Sequence, residues 1–121
     1  MSYDDNNIFA KILRGEIPCN KIYEDDFILS FYDINPQKKI HALVIPKGKY
    51  IDLDHFSMNA STEEIVGLLK GINKVAKKLE ISADTGKGYR ALANISDYGG
   101  QEVPHLHFHL FGGEKVGKMV E

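Results

Sequence analysis

Tryptophan is absent from this chain of 121 residues, and cysteine occurs once, at Cys19. A single thiol cannot form an internal disulfide, so the fold has to be held by its own apolar core. A chain of this length buries enough apolar surface to do so without a disulfide or a metal staple. We therefore expect one domain spanning residues 1–121.

An excess of charge of either sign is also missing. The 15 basic and 17 acidic residues are mixed along the chain, with a formal net charge of -2, and no basic stripe can follow a phosphate backbone over many nucleotides. No apolar run is long enough to cross a membrane, and residues 1–7 form neither a basic nor an apolar targeting region. These absences argue against polymeric nucleic acid or a membrane as a partner, and they predict a cytoplasmic protein.

The first half of the chain contains the signals of a short helix and three strands. A capping asparagine, a helical apolar pattern and a stop at Gly15 predict a helix over Asn7–Arg14. Two segments, Lys21–Glu24 and Phe27–Tyr32, flank a polar turn and predict a hairpin. The short apolar run His41–Ile45, closed by a proline, predicts a third, interior strand.

The second half contains one long helix. An apolar stripe of period 3.6 runs from Ile65 to Leu79, directly after a capping box at Ser61–Glu64. Gly67 and Gly71 lie four residues apart on one flank, which predicts that another element packs closely there and favours a dimer contact. A fourth strand is expected at Tyr89–Ile95. The order of elements predicts an α+β fold with a mainly antiparallel sheet, one short helix and one long helix.

Three histidines alternate with apolar residues near the end of the chain: His105, His107 and His109. In an extended strand this alternation places the three imidazoles on one face and the apolar side chains on the other. Imidazole titrates near neutral pH, acts as a nucleophile and binds metals. We therefore predict that this segment is the functional site.

Three interpretations of the histidine row compete. Incidental, half-buried strand residues account for one histidine but poorly for three at period two. Alternate strand positions can also direct imidazoles at one zinc ion, but Cys19 stands alone and the loop before the row offers glycines as its neighbours. Residues Gly99–Gln101 instead favour phosphate chemistry, because a glycine backbone approaches a ligand closely and its N–H groups are expected to be free for an anion.

An imidazole beside a phosphate has a defined chemistry. The neutral ring attacks phosphorus and forms a cationic nucleotidyl-histidine, which water then cleaves. Neighbouring imidazoles orient the nucleophile and move the leaving group's proton.

The segment His105–Phe111 matches the His-x-His-x-His-x-x pattern, with apolar x, of the histidine triad (HIT) superfamily. Other segments resemble the successive signatures of its Hint branch: Ile8–Pro18, Ile22–Asp26, Phe31–Gln37, His41–Lys47 and Gly99–Gln101. The resemblance implies a homodimer whose two sheets join into one continuous sheet. It also implies a nucleotide-binding hydrolase, without a cofactor, that cleaves purine nucleoside phosphoramidates such as AMP joined to an amine.

The resemblance also implies roles for individual residues. His107 corresponds to the nucleophile that takes the nucleotidyl group. His105, through its backbone carbonyl and ring, and His41, from a neighbouring strand, correspond to its supporting relay. His109 corresponds to the residue that contacts the phosphate and helps to protonate the leaving group, and Asp33 to the acceptor of the ribose hydroxyls.

Further positions match the substrate contacts of the family. Those that match the apolar lining of the purine pocket are Phe9, Ile12, Phe31 and Ile34, although core residues would give the same pattern. Those that match groups holding the phosphate and leaving group are Asn94, Gly100, Gln101 and Val103.

Some positions depart from the family pattern. Glu102 stands where some Hint proteins carry serine, and a carboxylate there either favours cationic amine leaving groups or is simply tolerated. Some relatives bind structural zinc through a Cys-x-x-Cys pair in the first helix, but residues 7–10 of this chain contain no cysteine, so no metal is predicted. The polar tail, residues 114–121, corresponds to the segment that reaches the partner's active site in relatives.

Other functions remain open at this point. A dinucleoside polyphosphate hydrolase of the same superfamily is the nearest enzyme alternative, although that branch lacks the Ile8–Pro18 signature and usually follows the triad with Pro-Arg. A nucleotide-binding interaction module with vestigial catalysis belongs to a different class, as does a metalloprotein that uses the histidine row directly. Measured turnover and metal content distinguish these alternatives.

Overall fold

The structure, a computed structural model, describes residues 2–121. Its five strands are β1 (Lys21–Glu24), β2 (Ile28–Tyr32), β3 (Ile40–Pro46), β4 (Arg90–Leu92) and β5 (Phe108–Gly112). Its helices are α1 (Ile8–Leu13), α2 (Leu53–Asn59) and α3 (Thr62–Lys78). The strands lie in the order β1-β2-β3-β5-β4, and every neighbouring pair is antiparallel. The predicted α+β class with a mainly antiparallel sheet is confirmed.

Local sequence signals account for the first elements. The side chain of Asn7 accepts the N–H of Ala10 and caps α1, and Gly15, with a φ of +78°, ends the helix in the left-handed conformation. In the hairpin turn, Asp25 Oδ1 accepts the N–H groups of Phe27 and Ile28 and brings β1 back alongside β2.

The long helix α3 begins with the predicted capping box, formed by Ser61 and Glu64. Its two glycines contact the sheet of their own chain: a Cβ added to Gly67 would lie 2.5 Å from Phe27, and one added to Gly71 would lie 2.4 Å from Ile28. The close packing predicted for these glycines is therefore present but intramolecular. Gly67 and Gly71 give no support for a dimer contact.

The central strand β3 is buried on both faces of the sheet. The residues of the central strands that face α3 include Ile28, Ala42, Val44 and Leu110. The residues on the opposite face include Leu29, Phe31, Leu43 and Ile45, and Phe9 of α1 packs against them. Residues paired across neighbouring strands share a face, so His109, which pairs with Leu43, lies on the face that α1 partly covers. His41, two residues before Leu43, lies there too.

The histidine segment does not form one continuous strand, contrary to the sequence-based expectation. Strand β5 begins at Phe108, so His109 belongs to it while His105 and His107 precede it. Pro104 has no N–H to donate to a ladder, and the N–H of Leu106 donates instead to the carbonyl of Tyr50, at 2.8 Å. Tertiary contacts, and not strand alternation alone, therefore place the three imidazoles.

Two other elements differ from expectation. Helix α2 was not predicted; Asp52 caps it by accepting the N–H of His55. The fourth strand is shorter than the predicted Tyr89–Ile95 and comprises Arg90–Leu92 alone. None of the helices in residues 2–121 combines the length and the apolar character that crossing a bilayer requires.

Candidate active site

A direct hydrogen bond joins two histidines from neighbouring strands at the centre of the α1-covered face. His41 Nε2 on β3 lies 2.9 Å from His109 Nδ1 on β5. The backbone N–H of Gln37 donates to His41 Nδ1 at 3.2 Å, so the proton of neutral His41 is on Nε2. His41 Nε2–H therefore donates to His109 Nδ1, and the proton of neutral His109 is on Nε2. This pair presents the Nε2–H of His109 as a donor.

His107 is held in the opposite tautomer. Its Nδ1 lies 2.7 Å from the carbonyl oxygen of His105, which can only accept, so Nδ1 carries the proton. The lone pair is then on Nε2. Within residues 2–121 every fully buried side-chain nitrogen or oxygen has a hydrogen-bond partner, and Nε2 of His107 has none, so this atom is not fully buried. The His107 ring lies 5.0 Å from the His109 ring and 4.9 Å from the Phe9 ring, centroid to centroid.

His105 is fully buried behind His107. Its Nε2 lies 2.9 Å from the carbonyl oxygen of Pro46, and its Nδ1 lies 2.6 Å from the hydroxyl of Tyr3. The His105 carbonyl contacts His107 Nδ1, and the supporting role of His105 stays a prediction. The predicted relay residue His41 instead contacts His109.

Burial favours the neutral form of the four imidazoles. Desolvation lowers the pKa of His105 to about 4 and the pKa of His109 to about 4, and it is also the main reason that the pKa values of His41 and His107 are lowered. Loss of hydration disfavours the charged imidazolium. The site therefore holds an imidazole with a free lone pair, which is the form that a nucleophile needs.

Asp33 supplies the negative charge beside the His41–His109 pair. Its Oδ2 lies 3.5 Å from His41 Nε2, and its Oδ1 accepts the N–H of Asn35 at 2.8 Å. The Asp33 charge partly offsets the effect of burial on the pKa of His41. The structure thus brings Asp33 together with the histidines, and its predicted contact with a ribose stays a prediction.

The four residues predicted to line a purine pocket differ widely in exposure. Phe9 and Phe31 are buried and in edge-to-face contact, with ring centroids 5.6 Å apart. Ile12 is partly buried against the same cluster, whereas Ile34 is 87 % exposed. Val103, which was assigned to the phosphate side, also packs against this cluster. The exposed Ile34 leaves apolar surface beside Asp33 that a ligand can cover.

The glycine loop is closed on itself, contrary to the expectation of free amides. A Cβ on Gly99 would lie 2.3 Å from the carbonyl oxygen of Ile95, and Gly100 has a φ of +76°, so both positions require glycine. The N–H of Gly100 donates to Asp97 and the N–H of Gln101 donates to Ser96, each at 3.0 Å. These two amides are engaged in the loop itself.

The Gln101 side chain ties this loop to the rest of the site. Its Nε2 donates to the carbonyls of Ile51, at 2.6 Å, and Val103, at 3.0 Å. Glu102 is exposed, and its charge only partly offsets the burial that lowers the pKa of His107. Asn94 is half-buried beyond the end of β4. The contacts of these residues with a substrate remain predictions.

Sequence reasoning did not identify three groups that fix the imidazoles: the Tyr3 hydroxyl, the Gln37 N–H and the Pro46 carbonyl. Gln37 and Pro46 lie within segments that resemble family signatures, but they act through their backbones, and a sequence carries no signal for the direction of a backbone group. Tyr3 lies 102 residues from His105, so no local pattern links the two.

Asp33, His41 and His109 also form a group with metal-ligand chemistry, because their ligand atoms lie within 4.8 Å of one another. Tetrahedral zinc would hold two nitrogen ligands about 3.3 Å apart. The separation of 2.9 Å between His41 Nε2 and His109 Nδ1 matches an N–H···N hydrogen bond instead. The group is arranged as a hydrogen-bonded relay.

Comparison with known proteins places this geometry in a family. The HIT domain model matches residues 14–116. A purine nucleoside phosphoramidase of Escherichia coli is 38% identical over 117 residues, which cover 96% of this chain and 94% of that protein. An uncharacterised HIT-like protein of Azospirillum brasilense is 50% identical over 119 residues, covering 98% and 95% of the two chains.

Solved structures agree with these relatives. A HIT family hydrolase from Clostridium thermocellum has a TM-score of 0.84 at 36% identity, covering 98% of this chain and 99% of that one. A histidine triad protein from Clostridium difficile has a TM-score of 0.82 at 39% identity, covering 98% of each chain. The histidine relay, the sheet that carries it and the match over residues 14–116 lead to one conclusion: this chain belongs to the histidine triad (HIT) family.

Proposed function

We propose that this HIT family hydrolase cleaves purine nucleoside phosphoramidates, of the AMP–amine type, through a nucleotidyl intermediate on His107. One observation carries the proposal: the His105 carbonyl accepts a hydrogen bond from His107 Nδ1–H at 2.7 Å, which leaves an unprotonated Nε2 that is not fully buried. The name of the Escherichia coli relative supports the choice of substrate class.

In the first step the His107 Nε2 lone pair forms a bond to phosphorus, and the bond between phosphorus and the amine breaks. The electron pair leaves on the amine nitrogen, which takes up a proton; we assign to His109 Nε2–H the hydrogen bond that helps to deliver it. Bonding at Nε2 makes the His107 ring cationic while Nδ1 keeps its proton. The His105 carbonyl then accepts a charge-assisted hydrogen bond, which stabilises the intermediate.

In the second step water attacks phosphorus and gives up a proton, which replaces the one that left with the amine, and the electron pair of the N–P bond returns to His107 Nε2. AMP and the free amine are the products, and the neutral imidazole is regenerated. His41 holds His109 in the tautomer that presents Nε2–H to the substrate. Asp33 and the exposed apolar side chain of Ile34 are assigned to the ribose and the base, in line with their place beside the relay.

The purified chain is expected to hydrolyse a fluorogenic adenosine phosphoramidate with a kcat/KM at least about tenfold above that for a dinucleoside polyphosphate. The proposed mechanism uses one nucleotide site and an amine leaving group, and it assigns no residues to the second nucleotide of a dinucleoside polyphosphate. Steady-state fluorescence and chromatographic assays measure the two substrates. A preference for the dinucleoside polyphosphate favours the other hydrolase branch, and nucleotide binding with negligible turnover favours an interaction module.

The proposal includes a homodimer with one continuous sheet, a single domain over the chain and a location in the cytoplasm. Strands β1 and β4 are the two edges at which a second sheet can pair. Light scattering on the purified protein is expected to give twice the chain mass of 13.6 kDa at micromolar concentration. A monomer under these conditions contradicts this part of the proposal.

A further inference from the structure

The segment before α1 reaches the buried side of the triad. The Tyr3 hydroxyl lies 2.6 Å from His105 Nδ1, and the two rings meet edge to face with their centroids 5.6 Å apart. His105 is fully buried, while Tyr3 is partly exposed. No substrate role has been assigned to Tyr3, and its hydroxyl contacts His105 rather than the proposed nucleophile.

The partner of His105 Nε2 determines which group donates in the hydrogen bond between Tyr3 and His105 Nδ1. The Pro46 carbonyl, 2.9 Å from Nε2, can only accept, so Nε2 carries the single proton of the neutral imidazole. Nδ1 is then an acceptor, and the Tyr3 hydroxyl is the donor. Burial raises the pKa of the Tyr3 phenol, which keeps this proton in place. Without Tyr3, the Nδ1 lone pair would be buried without a partner.

Several contacts hold Tyr3 in this position. The Asp5 carboxylate pairs with Lys49 Nζ at 2.8 Å, and the Asp5 carbonyl accepts from Arg14 Nη1 at 2.9 Å. Asn7, the cap of α1, donates its side-chain amide to the Asp4 carbonyl at 2.7 Å. These contacts fix Asp4 and Asp5, the two residues that follow Tyr3, against the two ends of α1 and against Lys49.

We propose that Tyr3 is a positioning residue for His107: by fixing the His105 ring from Nδ1, it holds the His105 carbonyl where that carbonyl orients the nucleophile. The link is short, because the same residue that accepts from Tyr3 supplies the carbonyl 2.7 Å from His107 Nδ1. A His105 ring held at both nitrogens cannot rotate about its side-chain bonds without losing a buried hydrogen bond. This inference rests on the proposed role of His107.

The test compares Tyr3→Phe with Tyr98→Phe, since each variant removes one phenolic hydroxyl and Tyr98 is fully exposed. Groups that orient a metal-bound histidine through its second ring nitrogen are worth about 10- to 100-fold, and for Tyr3→Phe we expect a kcat about tenfold lower. KM is expected to stay within about twofold, because Tyr3 does not touch the substrate. Tyr98→Phe is expected to match the parent protein in both constants.

Nitrogen-15 NMR of the histidine rings separates positioning from a general loss of structure. In the parent protein we expect His105 to be protonated on Nε2 alone, and in Tyr3→Phe we expect the Nδ1 resonance to move to higher frequency as its hydrogen bond is lost. An unchanged kcat, or a lower kcat with an unmoved Nδ1 resonance, overturns the proposal. Protonation of His105 on Nδ1 in the parent protein also overturns the proposal. This measurement does not require that the Tyr3→Phe variant folds.

The same measurements keep the two proposals apart. Absence of phosphoramidate turnover in the parent protein removes the proposed function, yet the His105 and His107 ring spectra still report whether Tyr3 sets their state. Turnover in the parent protein with no response to Tyr3→Phe leaves the function in place and removes the positioning role.

Discussion

Replacement of His107 by alanine is expected to lower kcat for the adenosine phosphoramidate by at least about 10⁴-fold. The variant lacks the only group to which the mechanism bonds phosphorus, and His109 cannot substitute because its Nδ1 accepts from His41 and its Nε2 carries the proton. The reaction then requires direct attack by water, without the division into two easier steps. Steady-state hydrolysis of the fluorogenic substrate measures the loss.

A matched control is His55→Asn, since His55 lies on α2 and its Nδ1 accepts the N–H of Ile51. The side-chain oxygen of asparagine can accept the same hydrogen bond. This variant is expected to keep kcat within about twofold of the parent value. Rapid denaturing quench at alkaline pH, where the N–P bond of a nucleotidyl-histidine is stable, followed by mass spectrometry should detect a nucleotidyl adduct on the parent protein and none on His107→Ala. Equal turnover by His107→Ala and the parent would exclude His107 as the nucleophile.

The free energy of unfolding is expected to fall as the pH is lowered from about 6.5 to about 4, the interval between the ordinary and the folded-state pKa of His105. In this interval His105 is protonated in the unfolded chain but stays neutral in the folded protein, so lowering the pH favours unfolding. Above the ordinary pKa the effect is absent because both states are neutral. At about 1.4 kcal/mol for each unit of pKa, His105 alone contributes roughly 3 kcal/mol over the full interval. His109, with a pKa also lowered to about 4, acts in the same direction.

Urea unfolding at a fixed protein concentration, repeated at intervals through this pH range, measures the effect. Ring nitrogen-15 titrations on the folded protein identify which imidazole takes up the proton at each step. Side-chain carboxyl groups have ordinary pKa values of about 4, so the loss of stability between pH 6.5 and about pH 5 is the part that isolates the imidazoles from them. A free energy of unfolding that does not change between pH 6.5 and pH 4 contradicts the proposed neutral, desolvated relay.

The elements set by neighbouring residues could be predicted from the sequence. The cap at Asn7, the capping box at Ser61 and the turn at Asp25 form within three residues along the chain, and the structure contains all three. Helix α2 was missed although Asp52 caps it in the same way. It has only seven residues, and a short element depends more on its tertiary contacts than on its own propensity.

Packing partners could not be predicted in the same way. Gly67 and Gly71 indicated a close neighbour but not that Phe27 and Ile28 of the same chain would be that neighbour. The paired glycines at Gly99 likewise indicated a close backbone approach, and the partner is the Ile95 carbonyl rather than an anion. A glycine in the sequence indicates that another group packs closely against the backbone, but which group does so depends on the fold.

The sequence by itself determined which chemical groups the site contains, because the alternating histidines, His41 and Asp33 are family signatures that require no coordinates to identify. Only the tertiary structure decided what each imidazole can do. Tautomer and pKa depend on hydrogen-bond partners and burial, and the partners of His105 lie 59 and 102 residues away along the chain. Three histidines that are equivalent in the sequence thereby differ in the structure: His107 keeps an unprotonated Nε2, His109 carries its proton on Nε2, and His105 is bonded at both nitrogens.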